Sequence, residues 1–113
     1  MEVAVTALSA AGPDAIALYK NLLAALKKIG KFEIEVKKTS VHLVRKVAFA
    51  GVQLRKQYII VTIKFDTLME HPRISRTEQT SKNRWHSEVK IANASAIDAE
   101  LLGWLRKSYE LAA

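Results

Sequence analysis

Three successive runs of alternating apolar and polar residues between Lys31 and Phe65 constrain this chain more than any other feature. Phe32, Ile34 and Val36 alternate with Glu33, Glu35 and Lys37; Val41 and Leu43 lead into Val47 to Leu54; Ile59, Val61, Ile63 and Phe65 follow. A period of two sends successive side chains to opposite faces of an extended chain, so each run reads as a strand with one buried face. The polar breaks Lys38-Thr39-Ser40 and Arg55-Lys56-Gln57 read as turns, which predicts a three-stranded antiparallel meander. The second strand is expected over about Val41 to Lys46, running on as one bent strand to Leu54. Gly51 inside that run marks a bulge, a bend or a close approach by another group.

Not every apolar residue fits one face. Val44, Ala48, Ala50, Val52, Leu54 and Ile60 fall on the opposite parity, which predicts a half-apolar second face in need of a cover. The 66–83 loop together with a second copy of the chain is the first expectation, with the N-terminal segment or a ligand as alternatives. A dimer through this face makes Val52 and Ile60 interface residues.

Helices bracket the strands. Gly12-Pro13 starts the first, because proline fits the first helical position, where its missing N–H has no partner to lose. Ile16, Tyr19, Leu22, Leu23, Leu26 and Ile29 form its inward stripe, and Gly30 reads as a left-handed stop. From Asp66 to Asn83 the periodicity is lost, which predicts a long loop with one helical turn at Thr67 to Glu70. Alternation resumes from Arg84 to Ile91, with Trp85, Ser87, Val89 and Ile91 on one side of a last strand. Asn93 or Ser95 starts the closing segment, and Asp98 caps a helix with Ile97, Leu101, Trp104, Leu105 and Ser108 facing inward. Gly103 is expected to let that helix approach the sheet closely. The fold class is α+β, two layers, with an antiparallel four- to five-stranded sheet flanked by an N-terminal and a C-terminal helix.

Bulk properties narrow the function. The 113 residues read as a flexible segment over 1–12 and one domain over 13–113. The chain has no cysteine, which removes disulfides, thiolate catalysis and thiolate metal sites and fits a reducing, cytoplasmic location. Its first residues lack the basic start of a secretory signal and are too short an apolar run to span a bilayer. The formal charge of +7 favours an anionic partner. From Lys37 to Phe65 the cations are Lys37, Lys38, Arg45, Lys46, Arg55, Lys56 and Lys64, with no Asp or Glu among them.

Lys38, Arg45, Lys46, Arg55, Arg73, Arg76 and Arg84 are therefore the candidate nucleic-acid or anion contacts, with Tyr58 or Trp85 available to stack on a base. The competing reading is a solvated strand face whose cations discourage edge pairing. His42, His71 and His86 lack the spacing of a zinc site, so no metal and no cofactor are expected. A nucleophile needs a neighbouring base, and Ser40 near Lys38 and His42 is the only local cluster; no catalytic residue is assigned. His86, Trp85 and Ser40 remain as a candidate pocket.

The stretch His86-Ser87-Glu88-Val89-Lys90-Ile91, followed by Ile97 to Glu110 with Leu101-Leu102-Gly103-Trp104 at its centre, resembles the C-terminus of a small bacterial family. That family is the domain of unknown function numbered 5655, and the similarity extends upstream through Lys38 to Phe49 and the first helix. The resemblance implies no biochemical activity, and His86 matches its pattern. Members stand alone or are appended to larger proteins, some labelled predicted transport proteins and some carrying nuclease-like or restriction-type modules. Such contexts imply an accessory binding domain near nucleic-acid enzymes and not a self-sufficient catalyst; the expected role is a non-enzymatic accessory or interaction domain that binds protein or itself. Nucleic acid is the second expected partner and a small-molecule or enzymatic pocket around His86 the third; no membrane is expected.

Overall fold

The computed structural model describes residues 11–37 and 40–112. Helix α1 (Pro13–Leu26) is followed by β1 (Glu33–Val36), β2 (Val41–Val44), β3 (Ala48–Leu54), β4 (Ile59–Phe65), β5 (Ile74–Ser81) and β6 (Arg84–Ile91). A short 3-10 turn (Ala94–Ala96) then leads into α2 (Ala99–Leu111). The sheet has six strands in the order β1-β2-β3-β4-β6-β5, and every neighbouring pair is antiparallel. Both helices pack on one face, over β3 and β4. The class is thus α+β as expected, with six strands where four or five were predicted.

The alternation places the core where the runs of apolar residues put it. Val41 and Leu43 of β2, Val52 of β3, Val61 and Ile63 of β4, and Val89 and Ile91 of β6 are all fully buried under the helices. From α1 they meet Tyr19, Leu22 and Leu26, and from α2 Leu101, Trp104 and Leu105. Burying each such side chain contributes about 1.5–3 kcal/mol, so this interface dominates stability. The Tyr19 hydroxyl is buried without a hydrogen-bond partner among the described residues, and burial raises its pKa.

Two strands escaped the sequence reading. The expected bent strand is a hairpin, β2 and β3, turning at Arg45-Lys46-Val47. The expected 66–83 loop contains β5, which pairs with β6 through a tight turn at Lys82-Asn83, and no helical turn forms at Thr67 to Glu70. β5 is an edge strand, polar on both faces, so it shows no alternation; its Arg76, Glu78 and Gln79 suit an edge that resists pairing with other chains.

The parity conflict resolves through a bulge at Phe49. The β2–β3 register passes from Leu43↔Ala50 to Val44↔Ala48, leaving Phe49 as the extra residue. Phe49 and Ala50 consequently both face the core, while Ala48 and Gly51 both face away. Ala50, Val52 and Leu54 belong to the core and not to a second apolar face, and Val52 is therefore no dimer-interface residue. The bulge side chain is clamped by Phe32 and Tyr109, each edge-on, with ring centroids 5.9 and 5.2 Å away.

Two glycines differ from expectation. Gly30 does not take a left-handed conformation. A Cβ there would collide with the Tyr109 ring, whose hydroxyl donates to the Lys31 carbonyl at 2.7 Å, so the position needs space. Gly103 is exposed, and a Cβ added to it would meet nothing within 4 Å, so it does not bring α2 closer to the sheet.

Ser108 closes the gap that the bulge opens. Regular β3–β4 pairing stops at Ala50↔Ile63. The Phe49 carbonyl and the Lys64 N–H beyond it turn to the buried Ser108 hydroxyl, which donates to the first and accepts from the second at 3.2 Å. Ser108→Ala is expected to cost about 1–3 kcal/mol by leaving both groups unpaired. Gly103→Ala is expected to add about 1 kcal/mol through helix propensity. Equilibrium urea unfolding measures both.

Candidate functional site

The face of the sheet away from the helices carries half-buried polar side chains in registered rows. One row runs His42, Gly51, Thr62, Glu88 and Arg76 across β2, β3, β4, β6 and β5. The next places Lys64 opposite His86, and His86 opposite Glu78. Directly opposed residues hold their Cβ atoms about 4.5–5.5 Å apart, so each row is a line of contacts.

Within these rows lies a cavity of about 160 Å³ lined by Ser40, His42, Gly51, Thr62, Lys64 and His86, among others. Gly51 forms its floor: a Cβ there would stand 3.7 Å from the Thr62 Cβ and 3.9 Å from the His42 ring, ordinary contacts that leave the space above open. A second cavity of about 220 Å³ adjoins it at the end of the sheet bearing the β5–β6 turn and shares Lys64 and His86. A larger trough of about 870 Å³ runs outside β1, past Phe32, Ile34 and Val36.

The electrostatics of the shared pair are unusual for surface residues. Burial lowers the Lys64 pKa, and the nearby Arg84 charge lowers it further. His86 is likewise lowered, first by burial and then by Lys64, with Glu78 acting in the opposite direction. Two partly buried basic groups thus share one stretch of sheet, each shifted toward its neutral form.

Ser40 and His86, far apart in sequence, line one cavity. Trp85 does not join them. It faces the helix side with Ser87 and Val89, because adjacent strand residues point oppositely. His42, Thr62 and Lys64 complete the lining, and their membership depends on strand register, which a single sequence does not display. His71 lies elsewhere: its Nδ1 accepts from the Arg73 backbone N–H at 3.1 Å, and its Nε2 faces Glu100 at 3.1 Å. No group of three His, Cys, Asp or Glu side chains able to hold a metal occurs among the described residues.

The basic candidates separate into distinct roles. Arg45 stacks 4.2 Å from the Tyr109 ring centroid and donates to the Tyr109 carbonyl at 3.1 Å. Arg73 donates to both Asp98 carboxylate oxygens at 2.9 and 3.2 Å, to Glu100 at 3.1 Å and to the Ala96 carbonyl at 2.7 Å. It thus ties the β5 entry to the start of α2. Arg55 bonds Gln53 beside the β3–β4 turn, at the opposite end of β3 from Arg45 and Lys46. Arg76 lies on the open face opposite Glu88, and Arg84 beside the β5–β6 turn. Lys38 lies outside the described residues. The described basic candidates are therefore not gathered on one stretch: Arg45, Lys46 and Arg84 lie at one end of the sheet, Arg55 and Arg73 at the other.

The family model described as "Domain of unknown function (DUF5655)" matches residues 5–112. Comparison with curated proteins and with solved structures finds no match. No helix among the described residues is long and apolar enough to cross a membrane.

Asp98 provides a check on the Arg73 network. It accepts from the Leu101 N–H at 3.0 Å, as the expected cap does. That bond and Arg73 hold its pKa below the ordinary value near 3.8. A depressed carboxylate contributes its stability above the unfolded-state pKa and loses it as pH falls through the folded one. The stability advantage over Asp98→Asn is expected to be complete at neutral pH and to shrink below about pH 3.8. Urea titrations at pH 7 and at successive acid values measure it.

Proposed function

Since the chain belongs to the DUF5655 family, whose description assigns no activity, we propose a function from its surface: it is a non-enzymatic binding domain. Its ligand is a small molecule with an acidic group, seated on the open face of the sheet. The observation carrying this reading is the pairing of Lys64 with His86 over a cavity floored by Gly51. Over β3 and β4 the helix side is filled by the core, and the larger trough on that side is bordered by Phe32, Ile34 and Val36 at the β1 edge. A binding site, by contrast, needs concavity and a few convergent polar groups, which the open face has.

The geometry favours this reading over the two alternatives drawn from charge and patterning. Nucleic-acid binding draws on a continuous basic stripe, yet Arg73 is engaged by Asp98 and Glu100, and Arg45 by the end of α2. Self-association draws on an apolar second face, and of its six expected residues Ala50, Val52 and Leu54 lie in the core, leaving Val44, Ala48 and Ile60 outside it. A catalytic role draws on an activated hydroxyl: Ser108 and Ser87 are engaged in structure, and Ser40 is the serine that lines the cavity with His42 and His86.

A thermal-shift screen of small carboxylates and phosphorylated compounds tests the proposal. A ligand at 100 times its Kd is expected to stabilise the domain by about 2.7 kcal/mol. Gly51→Leu fills the cavity from its floor and is expected to abolish that shift while keeping the fold. A shift of equal size in Gly51→Leu places the ligand elsewhere and defeats the reading.

A further inference from the structure

We propose that the end of the open face beside the β5–β6 turn is an oxyanion subsite, built by Lys64, Arg84, His86 and Thr80 to hold a phosphate-type group. The inference rests on the reading of the open face as a ligand surface and specifies the group that anchors the ligand. The four side chains line the cavity of about 220 Å³ adjoining the Gly51 pocket. A water's share of liquid volume is about 30 Å³, so the cavity admits a phosphoryl group with room to spare. Its continuation into the Gly51 pocket through Lys64 and His86 leaves space for the rest of a molecule.

The chemistry of the four groups is complementary. Lys64 brings a compact positive charge, and Arg84 a planar fork of donors, one of which, Nη1, donates to the Asn83 carbonyl at 2.8 Å. His86 supplies a ring N–H, and Thr80 a hydroxyl that currently donates to the Arg84 carbonyl at 3.4 Å, at the weak end of such bonds. Strand register aligns them: Lys64 opposes His86, and Arg84 precedes His86 by two residues on the same face. Neither Lys64 nor Arg84 has an ion-pair partner among the described residues. Burial and the Arg84 charge already act against the Lys64 ammonium, and an anion between them relieves both.

Two features oppose an anion here, and the fold answers the larger. The C-terminal end of α2 lies at the cavity through Leu111 and Ala112, where unpaired helix carbonyls concentrate negative charge. Two of the carbonyls at this end have donors: Arg45 donates to the Tyr109 carbonyl at 3.1 Å and the Lys46 N–H to the Ala112 carbonyl at 3.3 Å. The remaining opponent is Glu78, opposite His86 on the edge strand. Among the described residues Glu78 is the carboxylate directly opposed to His86, with Glu88 in the next row of the same face.

The test is a ¹H–¹⁵N NMR titration of the full chain with sodium phosphate, using sodium chloride at matched ionic strength as the control. Saturable, phosphate-specific shifts at Lys64, Thr80, Arg84 and His86 are expected. Arg84→Gln and Lys64→Gln, each confirmed folded by its spectrum, are expected to weaken phosphate about tenfold or more, the range of a lost charge-assisted hydrogen bond. Shifts that chloride reproduces, or phosphate affinity unchanged in both variants, overturn the subsite. The wider reading stands or falls separately: organic acids that stabilise the domain through the Gly51 pocket while phosphate fails leave the open face as the ligand surface and remove only the anchor.

Discussion

The Ser108 hydroxyl, lodged between the Phe49 carbonyl and the Lys64 N–H, joins α2 to the sheet at the point where regular strand pairing stops. A bulge in β3 admits one residue more than β2 can pair, and a buried backbone group left without a partner costs as much as a lost hydrogen bond. α2 supplies the missing partner from outside the sheet. The same bulge turns Phe49 into the core, where Phe32 and Tyr109 hold it, and turns Ala48 and Gly51 onto the open face. Helix docking and the shape of the candidate site thus have a common origin.

α2 is anchored at both ends by arginines that charge alone marks as ligand contacts. Arg73 joins Asp98 and Glu100 at its start, and Arg45 covers Tyr109 and its carbonyl at its end. Each complements the partial charge of the neighbouring structure: carboxylates gathered at a helix N-terminus receive a cation, and C-terminal carbonyls receive a donor. Lys64 has no ion-pair partner among the described residues, and Arg84 donates to the carbonyl of its neighbour Asn83 at 2.8 Å, so neither is tied to a distant part of the chain as Arg45 and Arg73 are.

The open face combines neighbours that differ in what they require. His42, Thr62, Lys64 and His86 surround a position where Gly51 leaves the sheet without a side chain. A filled residue there would give a flat polar surface, whereas the glycine gives a hollow. The hollow lies beside the partly buried Lys64 and His86, so concavity and convergent polar groups coincide there.

Much of this was legible in the residues themselves. The alternation at Phe32 to Phe65 and Arg84 to Ile91, Pro13 at the start of α1, the Asp98 cap and the α2 stripe from Leu101 to Ser108 all depend on local periodicity and hydrogen bonding, which a sequence carries directly. β5 was not legible, because an edge strand with two polar faces has no period to read. Nor was the Phe49 bulge, since one inserted residue reverses which neighbours are buried without changing composition. The candidate site was half legible: Ser40 and His86 were named, but their meeting with His42, Thr62 and Lys64 requires strand order and register, which long-range pairing sets. The sequence by itself determined which segments extend or coil and which side of each is apolar, because those preferences act between near neighbours. Only the tertiary structure decided which cations are bound into the fold and which remain beside a cavity, because that depends on groups brought together from distant parts of the chain.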